Sequence, residues 1–492
     1  MQTTDIRKLL KDPSLFKEEA YIDGQWVTAS NKATFAVNNP ATHEVIAQVT
    51  NLSTSDAEKA IAAANKAFPK WCDKTSKERA NLMRKWFDLI LQNKDDLAVL
   101  MTLEQGKPLT ESAGEVLYGA SFIEWFAEEA KRVTGTIPST VWSDKRFMVL
   151  KQPIGVCVAI TPWNFPNAMI TRKIAPAMAA GCAIVIKPAE QTPLSALALA
   201  ELASRAGIPN GVMNILTADA DHSIEIGKTL CASPVVRHLS FTGSTEVGRI
   251  LMTQCAPTIK KLGLELGGHA PFIVFEDADV DAAVEGAIAS KYRNAGQTCV
   301  CANRIYVHKS IQSTFVEKLS NAVQKLRVGN GMEAGVTQGP LIDQSAFEKV
   351  QRHIADALSK GAKLVTGGKP SPLGGTFFEP TVLADVTSEM LISYEETFGP
   401  VAPIIPFESD DEVIALANNS QFGLASYFYS RDIGRVWKVA EALDYGIVGV
   451  NSGIISNEVA PFGGVKQSGL GREGSIFGMD EYLELKYVCI AL

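Results

Sequence analysis

Apolar positions along this chain follow two different rhythms, and the change falls near residue 155. Before it, residues 21–50 alternate polar and apolar side chains between the turn residues Asp23-Gly24 and Asn39-Pro40, which predicts short strands. Ser55 with Glu58 reads as a capping box, and Ala57, Ile61, Ala64 and Phe68 then mark one helical face. Further helices are expected over 77–91 and 118–131, the second ending near Gly135-Thr-Ile-Pro138. Residues 139–152 read as a short hairpin outside this pattern.

From Gly155 onward, continuous apolar runs at 155–160, 183–187, 212–216, 238–241 and 262–266 alternate with helical stretches. The clearest helix has Thr192 as N-cap, Pro193 at its first position and Gly207 as its stop. Strands apolar on both faces and separated by helices imply a parallel sheet covered on both sides, by analogy a nucleotide-binding architecture. A second α/β unit starts with a strand at 271–275. Its helix buries Val280, Ala283, Val284, Ala287 and Ile288, and ends before Asn294-Ala-Gly-Gln-Thr-Cys299. Alternation continues to about residue 450, and 481–491 reads as a terminal strand. No repeat or low-complexity linker interrupts the chain, so the domains are expected to be interleaved and tightly docked.

With 492 residues the chain exceeds what one hydrophobic core supports. Hydrophobic residues at 46% and charged residues at 21% exclude a disordered chain. Basic residues (47) fall short of acidic ones (54), for a net charge of −7, which leaves no nucleic-acid footprint. The longest apolar candidate, 174–186, is broken by Pro176 and Gly181, so no membrane helix is expected. Residues 1–20 mix both charge signs without an apolar h-region, which predicts neither signal nor transit peptide and a cytoplasmic location. Eight dispersed cysteines without a CxxC pair, and six histidines without HExxH, predict no metal site.

Two nucleotide motifs are near-misses. Gly469-Leu-Gly471-Arg-Glu-Gly474 matches GxGxxG but follows no predicted strand. Gly227-Lys228-Thr229 resembles the end of a phosphate loop, yet His222 stands where the earlier glycine is required. A better anion site is Phe241-Thr-Gly243-Ser244-Thr-Glu-Val-Gly248, which follows a strand and opens a helix. Lys187 and Glu190 leave the second strand, where an acidic residue can hold ribose hydroxyls. Cys299 lies among small and polar residues, as a nucleophilic thiolate requires. Glu265 ends an apolar strand beside Gly267 and Gly268, which suits a partly desolvated general base. Asn164, held between prolines, suits an oxyanion donor. Taken singly, each has a bland alternative: a plain turn, a packed thiol, a salt-bridged glutamate, a capping asparagine.

Their joint order is more specific. Thr161-Pro-Trp-Asn164-Phe-Pro, Lys187-Pro-Ala-Glu190, the Phe241–Gly248 segment, Leu264-Glu265-Leu-Gly-Gly, Gly296-Gln-Thr-Cys299 and Glu395-Glu396-Thr-Phe398-Gly-Pro400 together resemble the aldehyde dehydrogenase superfamily over essentially the whole chain. Met169-Ile-Thr-Arg172-Lys173, the Lys291–Arg304 segment and the Ile455–Gly464 segment look like succinate-semialdehyde dehydrogenases, including the related glutarate-semialdehyde enzymes. His269 departs from the asparagine usual after the two glycines.

The resemblance implies a Rossmann-like parallel-sheet dinucleotide domain (10–134 and 153–263) and an α/β catalytic domain (264–464). A small β oligomerisation element (135–152 and 465–492) would join homodimers or homotetramers by adding its strand to a neighbour's sheet. The implied reaction oxidises an aldehyde through a thiohemiacetal and thioester on Cys299, with Asn164 at the oxyanion and Glu265 activating water. Lys187 and Glu190 would hold the adenosine ribose, Ser244 with Gly243 and Gly248 the pyrophosphate, and Glu396 with Phe398 the nicotinamide ribose. Trp163 would line the tunnel, and Arg172, Arg293 and Ser456 would bind the far carboxylate of a semialdehyde. NAD is favoured over NADP because Glu190 would repel a 2′-phosphate. The alternatives are the glutarate-semialdehyde reaction, a cofactor-independent cysteine esterase, and a non-catalytic protein on the same scaffold. Cys301, two residues from the nucleophile, is a candidate redox switch, since a slightly curled loop would bring the two thiols within disulfide reach.

Overall fold

The computed structural model describes residues 5–492, so residues 1–4 of the N-terminal stretch read above lie outside it. An eight-stranded sheet has five parallel strands at its centre, Lys261–Glu265, Val236–Thr242, Val156–Ile160, Ala183–Lys187 and Met213–Ile215, in that spatial order. Antiparallel edges finish it, with Ala20–Ile22 and Gln25–Val27 on one side and Gly469–Leu470 on the other. Successive side chains alternate between two cores: Cys157, Ala159, Ile184 and Ile186 on one face, Val156, Val158, Ala183 and Val185 on the other. Burial on both faces is why these strands read as unbroken apolar runs. A second, seven-stranded sheet, parallel except at one edge, holds Ala270–Val274 near its middle and ends at the open edge strand Ile447–Val450. Phe272 and Ile273 again face opposite cores. Among the described residues, no helix is long and apolar enough to cross a membrane.

Four local expectations are corrected. The capping box of the first long helix, Thr54–Cys72, is built by Ser53 and Asp56 rather than Ser55 and Glu58. Thr192 does not cap the helix Pro193–Ala206; the buried carboxylate of Glu104 accepts from the Leu194 and Ser195 amides at 2.7 and 2.8 Å. The expected 139–152 hairpin is instead one strand, Lys145–Pro153, paired antiparallel with Leu483–Ala491 along its whole length. That ribbon carries the exposed side chains of Leu485 and Tyr487. Finally, Gly469–Leu470, assigned above to the oligomerisation element, pairs with Leu264 and Glu265 in the first sheet.

Candidate active site

Strand order in the first sheet reverses at Val156–Ile160, and in open α/β sheets a ligand crevice opens beyond the carboxyl ends of strands at such a reversal. Trp163 and Asn164 leave that strand, while Gly243 and Ser244 leave its neighbour. Ser244 caps the helix Thr245–Cys255, its hydroxyl accepting from the Val247 amide at 3.2 Å. A cavity of about 440 Å³ lies here, lined by these four residues together with Cys299, Glu396 and Phe398.

The loop that carries Cys299 is tightly bent. Asn294, Ala295 and Gly296 follow one another with φ of 51°, 53° and 76°. Gly296 is required twice over, because a Cβ there would lie 2.2 Å from the Gly399 carbonyl oxygen. Side chains hold this shape: Glu111 accepts from the Asn294 amide at 2.8 Å, Asn294 Nδ2 donates to the Asn164 carbonyl at 3.0 Å, and Gln297 Oε1 accepts from the Ile342 amide at 3.0 Å. Asn164 Nδ2 donates to the Gln297 carbonyl at 3.0 Å, leaving a second N–H on the same nitrogen. Lys107 Nζ donates to the Asn164 carbonyl at 2.6 Å and pairs with Glu115, which accepts from the Asn167 and Ala168 amides. The amide donor and the nucleophile loop are thus fixed to each other. Lys107, Glu111 and Glu115 were missed in the sequence; the available signal was two carboxylates one turn apart in a largely apolar helical stretch.

Burial pushes the Cys299 thiol up to about 12; Arg172 and Arg293 oppose this, and Glu265 and Glu396 reinforce it. The thiol therefore needs a base to ionise at neutral pH. Burial, reinforced by Glu473, also holds the Glu265 carboxyl well above its ordinary range, and its Oε2 is unpartnered among the described residues. Glu265 lines a separate small polar cavity with Arg172, Arg472 and Glu473. Gly268 explains how its strand end comes close to Cys299, since a Cβ there would lie 2.3 Å from the Cys299 carbonyl oxygen. Glu396 accepts from the Gly268 amide at 3.1 Å, and burial pushes it up to about 7. Phe398 packs edge-to-face on Trp163 with ring centroids 5.7 Å apart. Lys349, another residue the sequence did not single out, lines the same cavity and acts on Glu396.

The other expected residues lie around this centre. Gly248 is away from the cavity and lets Leu266 pack against the helix; a Cβ there would fall 2.5 Å from Leu266 Cδ2. Lys187 pairs with Glu190 at 3.5 Å, and Glu190 lines an adjoining cavity of about 500 Å³ that shares Ile342 and Asp343 with the first. Arg172 is buried, 3.9 Å over the Phe462 ring, with Nη2 2.8 Å from Glu473 Oε2 in an ion pair lacking hydrogen-bond alignment. Its charge is therefore partly offset, by a carboxylate that Lys173 shares. Arg293 is half-buried, 5.1 Å over the Phe165 ring, forms no ion pair among the described residues, and shares a narrow cleft with Ser456. Cys301 is buried with Sγ turned to the Lys291 carbonyl at 3.4 Å, so a bond to Cys299 needs that side chain to rotate out of the core. His269 is also buried, and desolvation, with Arg304, holds its ring well below its ordinary range and neutral. The glycines of 469–474 serve backbone packing: a Cβ at Gly469 would lie 2.0 Å from the Leu264 carbonyl oxygen.

A doubly wound sheet whose crevice meets a half-buried cysteine, an amide side chain and a carboxylate is the arrangement of an enzyme that works through a thiol. The chain belongs to the aldehyde dehydrogenase family, whose model matches residues 26–488. It is 63% identical over 482 residues to a glutarate-semialdehyde dehydrogenase of Pseudomonas aeruginosa, covering 98% of this chain and 99% of that protein. It is 60% identical over 484 residues to a succinate-semialdehyde dehydrogenase [NADP(+)] of Escherichia coli, covering 98% and 100%. A crystal structure of succinate-semialdehyde dehydrogenase from Burkholderia pseudomallei superposes with a TM-score of 0.97 at 60% identity, covering 98% of this chain and all of that one.

Proposed function

We propose that this aldehyde dehydrogenase oxidises succinate semialdehyde to succinate, with glutarate semialdehyde as the alternative substrate. One observation carries the choice of a carboxylated aldehyde: Arg293 presents a guanidinium without a counter-ion among the described residues, in a cleft with Ser456, immediately before the loop's first left-handed residue, Asn294, and close to Cys299 in sequence. Guanidinium groups bind carboxylates through two parallel hydrogen bonds. Arg172 would add N–H donors, although Glu473 offsets part of its charge.

The residues present fit a nicotinamide dinucleotide. The capped helix start at Ser244 offers amides and a positive helix end to a pyrophosphate. Glu396 and Phe398 would hold the nicotinamide ribose, and Lys187 with Glu190 the adenosine ribose. When bound, that cofactor accepts a hydride from the substrate carbon. The chain supplies the rest. Glu265 takes the Cys299 proton, the thiolate adds to the aldehyde carbon, and the free Asn164 N–H with the Cys299 amide stabilises the oxyanion. After oxidation a thioester remains on Cys299, and Glu265 removes a proton from the water that hydrolyses it. Glu190 supports NAD over NADP through like-charge repulsion of a 2′-phosphate. The exposed ribbon of Lys145–Pro153 and Leu483–Ala491, and the open edge at Ile447–Val450, support a homodimer or homotetramer made by strand addition. A cytoplasmic location belongs to the same reading.

The test is dinucleotide reduction with succinate semialdehyde, glutarate semialdehyde and butanal, for wild type and Arg293→Ala. The expected result is a preference for a carboxylated substrate that collapses in the variant through KM. Equal loss on all three aldehydes would remove Arg293 from substrate recognition.

A further inference from the structure

Tyr118 holds a buried hydroxyl with no hydrogen-bond partner among the described residues. Folded interiors satisfy nearly all such groups, so an orphan asks for a reason. Tyr118 lies on the helix Leu109–Glu129, and its ring packs against Phe165, Ala168 and Met169 and edge-on to Phe122 at 5.0 Å.

Those neighbours locate the ring. Arg293 sits 5.1 Å over Phe165, and Arg172 sits 5.7 Å over Phe122, so Tyr118 touches a ring beneath each guanidinium. Met169 is itself a wall of the cavity that holds Cys299. Burial raises the Tyr118 phenol, with Arg172 and Arg293 acting against that, so at neutral pH the group is an uncharged donor.

We propose that Tyr118 is a further substrate-binding residue, its hydroxyl donating to the distal carboxylate of the semialdehyde between Arg172 and Arg293. The assignment rests on the carboxylated-aldehyde reading above. Arg293 supplies the uncompensated charge. Glu473, shared with Lys173, offsets part of the charge of Arg172, and a carboxylate still has lone pairs to fill after one bidentate contact. A rigid phenol fills one of them without adding another buried charge, while its ring offers an apolar wall to the methylene chain.

Tyr118→Phe removes only the oxygen. Because that oxygen has no partner in the folded protein, Tm is expected to hold or rise. The readout is the ratio of kcat/KM for succinate semialdehyde to that for butanal, which should fall about tenfold or more, as for a lost hydrogen bond to a charged group. An unchanged ratio overturns the assignment, whether both kcat/KM values hold or both fall equally. Arg293→Ala is measured alongside. If that variant lowers the ratio and Tyr118→Phe does not, only the tyrosine assignment fails; if neither does, the carboxylate reading fails with it.

Discussion

A single methyl group added at residue 268 tests how the base and the nucleophile are brought together. The Cβ of Gly268→Ala would lie 2.3 Å from the Cys299 carbonyl oxygen and 3.4 Å from Leu424 Cβ. Close carbon–oxygen contacts are about 3.3 Å, so the two loops must part by about 1 Å. The Cys299 side cannot give way cheaply, because Asn294, Ala295 and Gly296 are already left-handed, Asn294 is tied to Asn164, and Gln297 is tied to Ile342. Overpacking of this kind costs about 1–3 kcal/mol, and a 1 Å displacement of reacting groups costs about a hundredfold in rate. Steady-state kcat/KM at saturating dinucleotide, with Tm alongside, should show a rate loss near that size and a modest fall in melting temperature. Gly114→Ala is the control: nothing lies within 4 Å of its Cβ, and the helix should gain roughly 0.5–1 kcal/mol. A Gly268→Ala enzyme within about twofold of wild-type rate, melting normally, would refute the reasoning.

Three further outcomes follow from the same site. Burial holds Glu396 up to about 7, so it loses its charge as pH falls through that value; KM for the dinucleotide should rise on the acid side, and Glu396→Gln should flatten that profile. Glu190→Ser should raise the NADP to NAD ratio of kcat/KM about tenfold by removing like-charge repulsion, read by parallel titrations; an unchanged ratio would exclude Glu190 from cofactor choice. Lys107→Met strands the Glu115 carboxylate, and breaking a buried pair costs about 3–5 kcal/mol. Adding Glu115→Leu should recover Tm but not kcat, because Asn164 and the Asn167–Ala168 amides still lose the groups that hold them.

What the sequence made legible was whatever a local pattern encodes. The central strands stood out because both faces are buried, and Cys299, Asn164, Gly243, Ser244, Glu396 and Phe398 meet in one cavity. What stayed hidden depends on partners far away in the chain. The 139–152 stretch alternates like a hairpin, yet its partner strand begins at Leu483. Thr192 has the right residue type for a cap, but Glu104 reaches the helix first. Nothing beside Arg172 in sequence announces that Glu473, three hundred and one residues on, partly offsets its charge. Gly469-Leu-Gly471 carries nucleotide-like spacing, while Gly469 admits the backbone of a neighbouring strand and Gly471 the Glu481 side chain.

The account stands or falls on a covalent intermediate at Cys299 whose hydrolysis needs Glu265. The most direct measurement mixes Glu265→Gln with succinate semialdehyde and NAD in a stopped-flow instrument, then maps the acid-quenched protein by mass spectrometry. The account predicts NADH rising to about one equivalent per subunit, more slowly than in wild type because Glu265 also takes the thiol proton, then still slower turnover, and a succinyl group on the peptide bearing Cys299. Steady turnover at the wild-type rate with no burst, or dinucleotide reduction that leaves Cys299 unmodified while the acyl group sits elsewhere, would contradict it.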